Sequence, residues 1–202
     1  ATSFSAWVYK ENLGNWQRVF DFGNGAGNHN LLLANRGTSN EAEWSIRRGG
    51  SNRSLIVQDF WTLNEWQHVV ATVDDTGLMK LYRNGEMRGA ILGHQPQSVT
   101  RTRQYVGKSN WGNDLELLGM IDDVRLYRKG FGSEDVYHLY RGDPEVVDYE
   151  AARTGAKVGV EGSVSVVTPP ALPSLSTPTL TYGEDVVNLD LGELSSLSYT
   201  LS

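Results

Sequence analysis

The sequence predicts an all-β protein, an antiparallel β-sandwich in which two sheets pack face to face. One observation is the run from Glu65 to Gly89, which reads as three consecutive strands joined by two tight turns. The other is the recurrence of short strand-like runs through residues 1–142, separated by clusters of Gly, Asn, Ser and Asp. Short strands at this spacing are typical of sandwiches and jelly rolls.

The meander is the clearest local signal. Residues 66–73 alternate with a period of two and carry apolar residues on both faces, and residues 74–77 form the first turn. Asn84-Gly85 then separates two further strand-like runs. Asn-Gly in this position predicts a type I′ hairpin, because that turn requires positive φ at both central residues.

The remaining elements follow in order along the chain. Strands are predicted at residues 4–9, 18–22, 30–34, 43–47, 55–58, 66–73, 79–83, 87–92, 104–106 and 117–127. One helix is predicted over residues 133–140, with Ser133 as its N-cap, Glu134 and Asp135 in its first turn and Gly142 as its stop.

Composition divides the chain into two parts. Residues 1–142 hold 16 Lys and Arg against 15 Asp and Glu, a net charge of +1, together with all six tryptophans. Residues 143–202 hold 2 against 9, a net charge of −7. The first part is predicted to be the globular domain, without the basic excess that nucleic acid requires. The chain has no cysteine, which excludes disulfides and thiolate chemistry. No apolar run reaches the length of a membrane helix, so membrane insertion is not expected.

The acidic part, residues 143–202, reads as a linker and tail with strand-like segments. Residues 158–167, 186–191 and 197–201 are strand-like, and residues 168–178 hold four of the six prolines. These strands are too few to build a core alone. They are predicted either to begin a further β domain or to pair with another sheet, including that of a neighbouring chain.

Residues 1–142 contain six short sequence motifs that resemble those of a known family. They are SAWVYK at 5–10, NWQRVFDFGNGAGNHNLLLAN at 15–35, EWQHVVATVD at 65–74, MKLYRNGEM at 79–87, YVGKSNW at 105–111 and GMIDDVRLYRKGFGSEDV at 119–136. In order and spacing they resemble the laminin G-like, concanavalin A-like jelly rolls, and most closely the bacterial laminin G/pentraxin-like modules. The resemblance implies a secreted or cell-surface module that binds sugars or proteins. Family members usually begin with a further strand, which is missing here or replaced by another segment such as the tail.

The resemblance also implies a calcium ion at a sheet rim. Calcium takes six to eight oxygen ligands, including carboxylates. The carboxylates of a double pentraxin site are largely missing, which leaves a single structural ion held by Asp21, Asn24 or Asp122 with loop carbonyls. The alternatives are that the Asn and Gly residues simply make turns and that Asp122 accepts structural hydrogen bonds.

Exposed loop tryptophans indicate sugar binding, because a pyranose stacks on an indole while amides and carboxylates bond its hydroxyls. The candidate ligand-binding residues are Trp111, Asn110, Asn113, Asp114, Trp16 and Asn28. The alternative for Trp111 is that it covers the end of the sandwich. The pairs Arg47-Arg48 and Arg101/Arg103 read most simply as solvated strand charges, although they could attract an acidic sugar.

Catalysis is not expected. Jelly-roll glycosidases place their carboxylates at alternating strand positions, and the alternation of Asp114 and Glu116 is not continued at Leu118. The leading hypothesis is therefore a non-catalytic module of a secreted or cell-surface multidomain protein, binding a glycan or an extracellular protein through rim loops. One alternative is a structural subunit of a surface layer or filament that self-associates through residues 143–202. The other is an accessory module of a glycoside hydrolase.

Overall fold

The computed structural model describes residues 1–142, 180–182 and 186–189. The all-β prediction is confirmed, with one short helix near residue 140. In chain order the elements are β1 (Thr2–Lys10), β2 (Arg18–Gly23), β3 (Leu31–Asn35), β4 (Ala42–Arg48), β5 (Ser51–Val57), β6 (Trp66–Val73), β7 (Leu78–Arg83), β8 (Glu86–Leu92), β9 (Arg103–Val106), β10 (Gly119–Tyr127), α1 (Ser133–Arg141), β11 (Leu180–Tyr182) and β12 (Val186–Leu189).

Two antiparallel sheets form the sandwich. The first sheet contains β10, β1, β6, β7 and β8 in that order, and β12 and then β11 extend it beyond β10. The second sheet has the order β5-β4-β3-β2-β9. The segment from residue 107 to residue 118, here called the 107–118 loop, connects β9 of the second sheet with β10 of the first.

The main hydrophobic core lies between the two sheets. Phe4 of the first sheet meets Phe20 of the second, with 4.0 Å between their ring centroids. Trp44 of β4 is buried beside Phe20, and its indole N–H donates to the carbonyl of Thr72 across the sandwich at 3.2 Å. This bond satisfies the one polar atom that the large indole brings into the core.

The helix covers the outward face of the first sheet. Val70 of β6 and Tyr82 of β7 pack there against Phe131, Val136 and Leu139 in a second hydrophobic cluster. This packing explains why the β6 sequence is apolar on both faces. The described residues place no helix on the outward face of the second sheet. Any cover of that face by these residues comes from loops.

The local turn predictions are largely confirmed. Asn84 and Gly85 have φ of 52° and 83°, as a type I′ turn requires, and Gly142 ends the helix in the left-handed region. The prediction of Ser133 as N-cap is wrong, because Gly132 occupies that position. The Gly132 N–H donates to the carboxylate of Asp135 at 2.8 Å, so the cap is supplied from inside the helix.

Two tail strands are described. β12 pairs with β10 from Val124–Leu189 to Tyr127–Val186, and β11 pairs with β12. The strand-like runs at 158–167 and 197–201 lie outside the described residues, and the division into a domain of residues 1–142 and a tail of residues 143–202 stays a prediction. Within the described parts of the chain, no helix is long and apolar enough to cross a membrane.

Candidate functional site

The 107–118 loop crosses the outward face of the second sheet and is bonded to it along its length. Near its start, the backbone N–H of Asn110 donates to the carboxylate of Asp21 at 2.9 Å. The side-chain amide of Asn110 donates to the carbonyls of Asp21 and Arg103, each at 3.2 Å. Further along, the N–H of Leu115 donates to the carbonyl of Asn15 at 2.9 Å. The loop is therefore held by β2, by β9 and by the segment before β2, in addition to hydrogen bonds within the loop.

Asp21 is the buried acceptor at the centre of this arrangement. It is inaccessible to solvent, and its second carboxylate oxygen accepts a hydrogen bond from the Asn30 amide at 2.7 Å. Burial raises the pKa of the Asp21 carboxyl, while the bonds from Asn110 and Asn30 and the charge of Arg18 oppose that rise. The role that these contacts define for Asp21 is to anchor the loop.

Arg18 joins β2 to the far part of the loop. Its guanidinium donates to Asp114 at 2.8 Å and to the carbonyl of Trp16 at 2.7 Å, and its Nε lies 3.6 Å from Asp21. The hydroxyl of Ser109 also donates to Asp114, at 2.7 Å. Breaking such a buried pair by removing one partner is costly, because the other charge is left without compensation.

Two indoles and two guanidinium groups alternate above the sheet. The Arg18 guanidinium carbon lies 5.6 Å from the ring centroid of Trp16 and 5.2 Å from that of Trp111. The Arg47 guanidinium carbon lies 5.1 Å from the Trp111 centroid. Both tryptophans are partly exposed. We call these four residues the aromatic–arginine row. Each cation–π contact holds an indole in place and leaves part of its surface open.

Polar side chains continue this surface across β4 and β5. The Ser54 hydroxyl donates to Glu43 at 2.8 Å and contacts the Ser45 hydroxyl at 3.1 Å. Ser45 in turn donates to the side-chain oxygen of Asn52 at 2.7 Å. Arg47 stands opposite Asn52 in the strand register. The outward face of the second sheet is thus hydrogen-bonded across its strands, beside the aromatic–arginine row.

The structure brings together four of the six candidate sugar-binding residues. Trp111, Asn110, Asp114 and Trp16 all meet at the aromatic–arginine row or its anchors. Asn113 lies exposed in the same loop, and Asn28 lies exposed in the turn between β2 and β3. That turn is closed by a bond from the Asn24 N–H to the Asn28 carbonyl.

Arg18 and Arg47 are the two members of the row that the sequence does not place among the candidate ligand-binding residues. The sequence reads Arg47 most simply as a solvated strand charge that could attract an acidic sugar, and it gives Arg18 no role in ligand binding. The signal available in the sequence is the order Trp16, Arg18, Asp21 at the start of a strand. An indole, a guanidinium and a carboxylate at these spacings can reach one side of the sheet, once the irregularity between Arg18 and Phe20 shifts the alternation.

The three candidate calcium ligands do not share a site. Asp21 and Asp122 lie on strands of different sheets. The Asn24 side-chain oxygen accepts from the N–H and the hydroxyl of Thr102, at 2.7 and 3.1 Å. No three His, Asp or Glu side chains of the described residues gather as metal ligands. These residues therefore do not fit a common calcium site, and calcium binding by the chain stays a prediction.

The carboxylates of the loop are engaged in ion pairs. Asp114 bonds Arg18, and Glu116 bonds Lys108 at 3.0 Å. Glycoside hydrolysis by a pair of carboxyl groups requires both to face one cleft. The contacts of Asp114 and Glu116 instead point to structural roles.

The fold and this surface define a class of protein, a lectin-like jelly-roll sandwich. The chain belongs to the concanavalin A-like lectin/glucanases superfamily, whose laminin G family model matches residues 1–137. This confirms the resemblance read from the six motifs. No curated protein sequence matches the chain.

Solved structures share the fold at low identity. The CBM40 module of the Ruminococcus gnavus IT-sialidase is 15% identical and has a TM-score of 0.59, with 69% of this chain and 82% of that chain covered. Its complex with α2,3-sialyllactose has a TM-score of 0.60, at 14% identity and with 69% and 81% covered. Domain 4 of AbnA, an extracellular GH43 arabinanase of Geobacillus stearothermophilus solved with arabinotriose, is 22% identical and has a TM-score of 0.54, with 69% and 66% covered.

Proposed function

We propose that this chain is a non-catalytic carbohydrate-binding module and that the aromatic–arginine row is its binding surface. The observation that carries the proposal is the partly exposed indole of Trp111, held between Arg18 and Arg47 on a loop bonded to the sheet. Sugars bind by stacking the C–H face of the ring on an indole and by hydrogen-bonding to fixed polar groups. Because the loop is already anchored, binding costs little ordering of the protein.

The solved relatives support this proposal. The Ruminococcus gnavus module was solved with sialyllactose and the arabinanase domain with arabinotriose. Both belong to larger carbohydrate-active enzymes by their descriptions. We extend the proposal accordingly to a module of a secreted or cell-surface multidomain protein, with an accessory role beside a hydrolase as one context. An extracellular protein that presents the glycan is an equivalent partner.

A glycan array followed by calorimetry tests the proposal. The full chain should bind at least one glycan, and Trp111→Ala should weaken that binding by about 1–3 kcal/mol, the range for losing a buried aromatic contact. Trp66→Ala is the matched control, because Trp66 is also partly exposed but lies on β6 of the first sheet. The absence of binding to any glycan, or equal losses in the two variants, would count against the proposal.

We also propose to test the calcium expectation directly. Thermal unfolding of the full chain should be compared in calcium and in chelator. An ion that binds only the native state raises Tm by mass action. Equal Tm in the two conditions would contradict the binding of calcium by the native chain.

The pairing of β12 with β10 favours a second candidate function, that of a structural subunit which exchanges its tail strands between copies. An edge strand that accepts a tail strand within one chain can accept the same strand from another. Sedimentation of the full chain and of a form ending at residue 142 tests this. Concentration-dependent association of the full chain alone supports it, and monomers in both cases would end it.

A further inference from the structure

Five arginines gather at one end of the second sheet. Arg47 and Arg48 end β4, Arg53 lies in β5, Arg103 begins β9, and Arg101 comes just before β9. Three of them, Arg48, Arg53 and Arg103, are exposed, and the other two are partly exposed. We call these five residues the arginine rim.

The topology of the sheet brings the rim together from distant parts of the sequence. β2 and β4 are both antiparallel to β3, so they end at the same side of the sheet. β5 and β9 begin at that side, because β5 pairs antiparallel with β4 and β9 with β2. The register places Arg48 opposite Ser51 and Arg103 opposite Gly23. Arg101 reaches across this end, with its Nε donating to the carbonyl of His29 at 2.9 Å.

The charge of the arginine rim is not balanced locally. The segments 23–30, 47–54 and 93–104, which build this end of the sheet, contain no Asp or Glu. None of the five arginines forms an ion pair with another residue that the structure describes. Elsewhere on the same face the carboxylates have partners, since Asp114 bonds Arg18 and Glu43 bonds Ser54.

The arginine rim adjoins the proposed sugar surface. Arg47 belongs to both, because its guanidinium lies over Trp111 while its chain position is beside Arg48. The Nε of Arg47 is buried and has no hydrogen-bond partner in the described ranges. Asn110, next to Trp111, donates its side-chain amide to the carbonyl of Arg103. A ligand lying on Trp111 is therefore in reach of guanidinium donors without competing carboxylates at that end.

Resting on the proposed function, we infer that the ligand of this surface is an acidic glycan. The sugar ring lies on Trp111, and the carboxylate or sulfate groups bind Arg47 and the exposed arginines of the rim. The planar fork of arginine matches the two oxygens of such groups, which makes these charge-assisted bonds strong and directional. A nucleic acid fits less well, because the domain carries a net charge of only +1.

Matched ligand pairs test the charge requirement with the full chain. Calorimetry should compare sialyllactose with lactose, tetragalacturonate with its methyl ester, and a heparin tetrasaccharide with its desulfated and carboxyl-reduced form. At least one acidic member should bind about tenfold more tightly than its neutral counterpart, and added salt should reduce that ratio because it screens exposed charges. If neutral sugars bind through Trp111 and no acidic member binds better, the inference is overturned while the proposed function stands. If no sugar binds at all, the proposed function itself fails.

Variants locate the effect on the rim. Arg48→Gln and Arg103→Gln, at two exposed rim arginines outside the aromatic–arginine row, should each lower the affinity for the acidic member by about tenfold and leave that for the neutral member unchanged. Arg88→Gln is the matched control, since Arg88 is also exposed but lies on β8 of the first sheet. An equal loss in the control would show a general effect of net charge and overturn the inference. Binding of single-stranded DNA as tight as that of the acidic glycan would overturn it as well.

Discussion

The buried carboxylate of Asp21 accepts a hydrogen bond at 2.9 Å from the backbone N–H of Asn110, a residue 89 positions further along the chain. This bond ties the middle of the second sheet to the loop that carries Trp111. The position of the indole thus depends on a side chain of β2 that a ligand on the surface would not touch. Loop and sheet form one unit at this point, which is how a loop tryptophan can be held ready for binding.

Removing that acceptor is expected to weaken both the fold and the site. Asp21→Ala leaves the amide of Asn30 and the N–H of Asn110 without an acceptor in a buried place, and should lower the free energy of unfolding by about 2–4 kcal/mol. Urea unfolding measures this. Asp75→Ala is the control, because its side chain is 87% exposed and pairs only with the N-terminal amine. Equal, small losses in the two variants would contradict the anchoring role of Asp21.

The sequence was informative where structure is decided locally. The Asn84-Gly85 hairpin could be predicted because a type I′ turn selects its two central residues directly. Trp111 and Asp114 could be predicted as site residues because the composition of their loop is visible in one short stretch. The helix was found from its caps and apolar face, although its N-cap is Gly132 and not Ser133, since the Asp135 carboxylate supplies the bond.

The other residues of the candidate site come together only through the pairing of particular strands, which the sequence does not reveal. Arg18 and Arg47 stand 29 positions apart and meet at Trp111 only because β2, β3 and β4 pair side by side. The arginine rim is likewise built from two segments, residues 47–53 and 101–103, that share an end of the sheet only in the folded chain. Strand order follows from the whole topology and leaves no local mark in the sequence. From the sequence alone, the charges of the rim therefore read most simply as solvated strand charges, with attraction of an acidic sugar as the alternative.

Lys10 is expected to make the stability of the domain depend on alkaline pH. Its side chain is fully buried at the end of β1, 5.1 Å from the ring centroid of Trp61, and burial lowers its pKa from 10.5 to about 7. Between pH 7 and 10.5 the unfolded chain holds this proton more tightly than the folded one. The contribution of Lys10 to the free energy of unfolding should therefore rise with pH across that window, and stay at its low value below it.

Lys10→Met tests this, because it removes the buried charge and keeps most of the side-chain volume. The variant should be more stable at pH 7 by about 2–4 kcal/mol, with the advantage shrinking toward pH 10. Lys108→Met is the control, since Lys108 is exposed on the loop. Urea unfolding from pH 6 to 9 gives the comparison. A Lys10→Met advantage that does not change with pH would show that packing, and not protonation, is responsible.

His68 is expected to make the stability of the domain depend on acidic pH. It is buried between Trp7, at 5.3 Å between ring centroids, and Tyr140, at 5.9 Å. Burial, with a smaller contribution from Arg125, lowers its pKa from 6.5 to about 3. Between pH 3 and pH 6.5, His68 is therefore protonated in the unfolded chain and neutral in the folded chain. The free energy of unfolding falls as the pH falls from 6.5 toward 3.

His68→Phe should reduce this acid sensitivity, because the new ring keeps the aromatic contacts and cannot be protonated. Unfolding measured between pH 6.5 and 4.5 should show a shallower loss of stability in the variant than in the wild type. His94→Gln serves as control, because His94 is only partly buried and its Nε2 faces the carbonyl of Ile46. Parallel pH curves for wild type and His68→Phe would show that His68 is protonated in the folded state.

Gly119 fixes the point at which the 107–118 loop enters the first sheet. Its φ is +145°, and an added Cβ would lie well inside van der Waals contact of the carbonyl oxygen of Tyr9 on the neighbouring strand. Gly119→Ala should therefore destabilise the domain by about 2–4 kcal/mol through strain and a backbone shift. Gly112→Ala is the control within the same loop, because no atom lies within 4 Å of its added Cβ. Thermal unfolding should show a large drop in Tm for the first variant and little change for the second. Equal Tm values would show that the chain accommodates a Cβ at residue 119 without strain, and would contradict this role of Gly119.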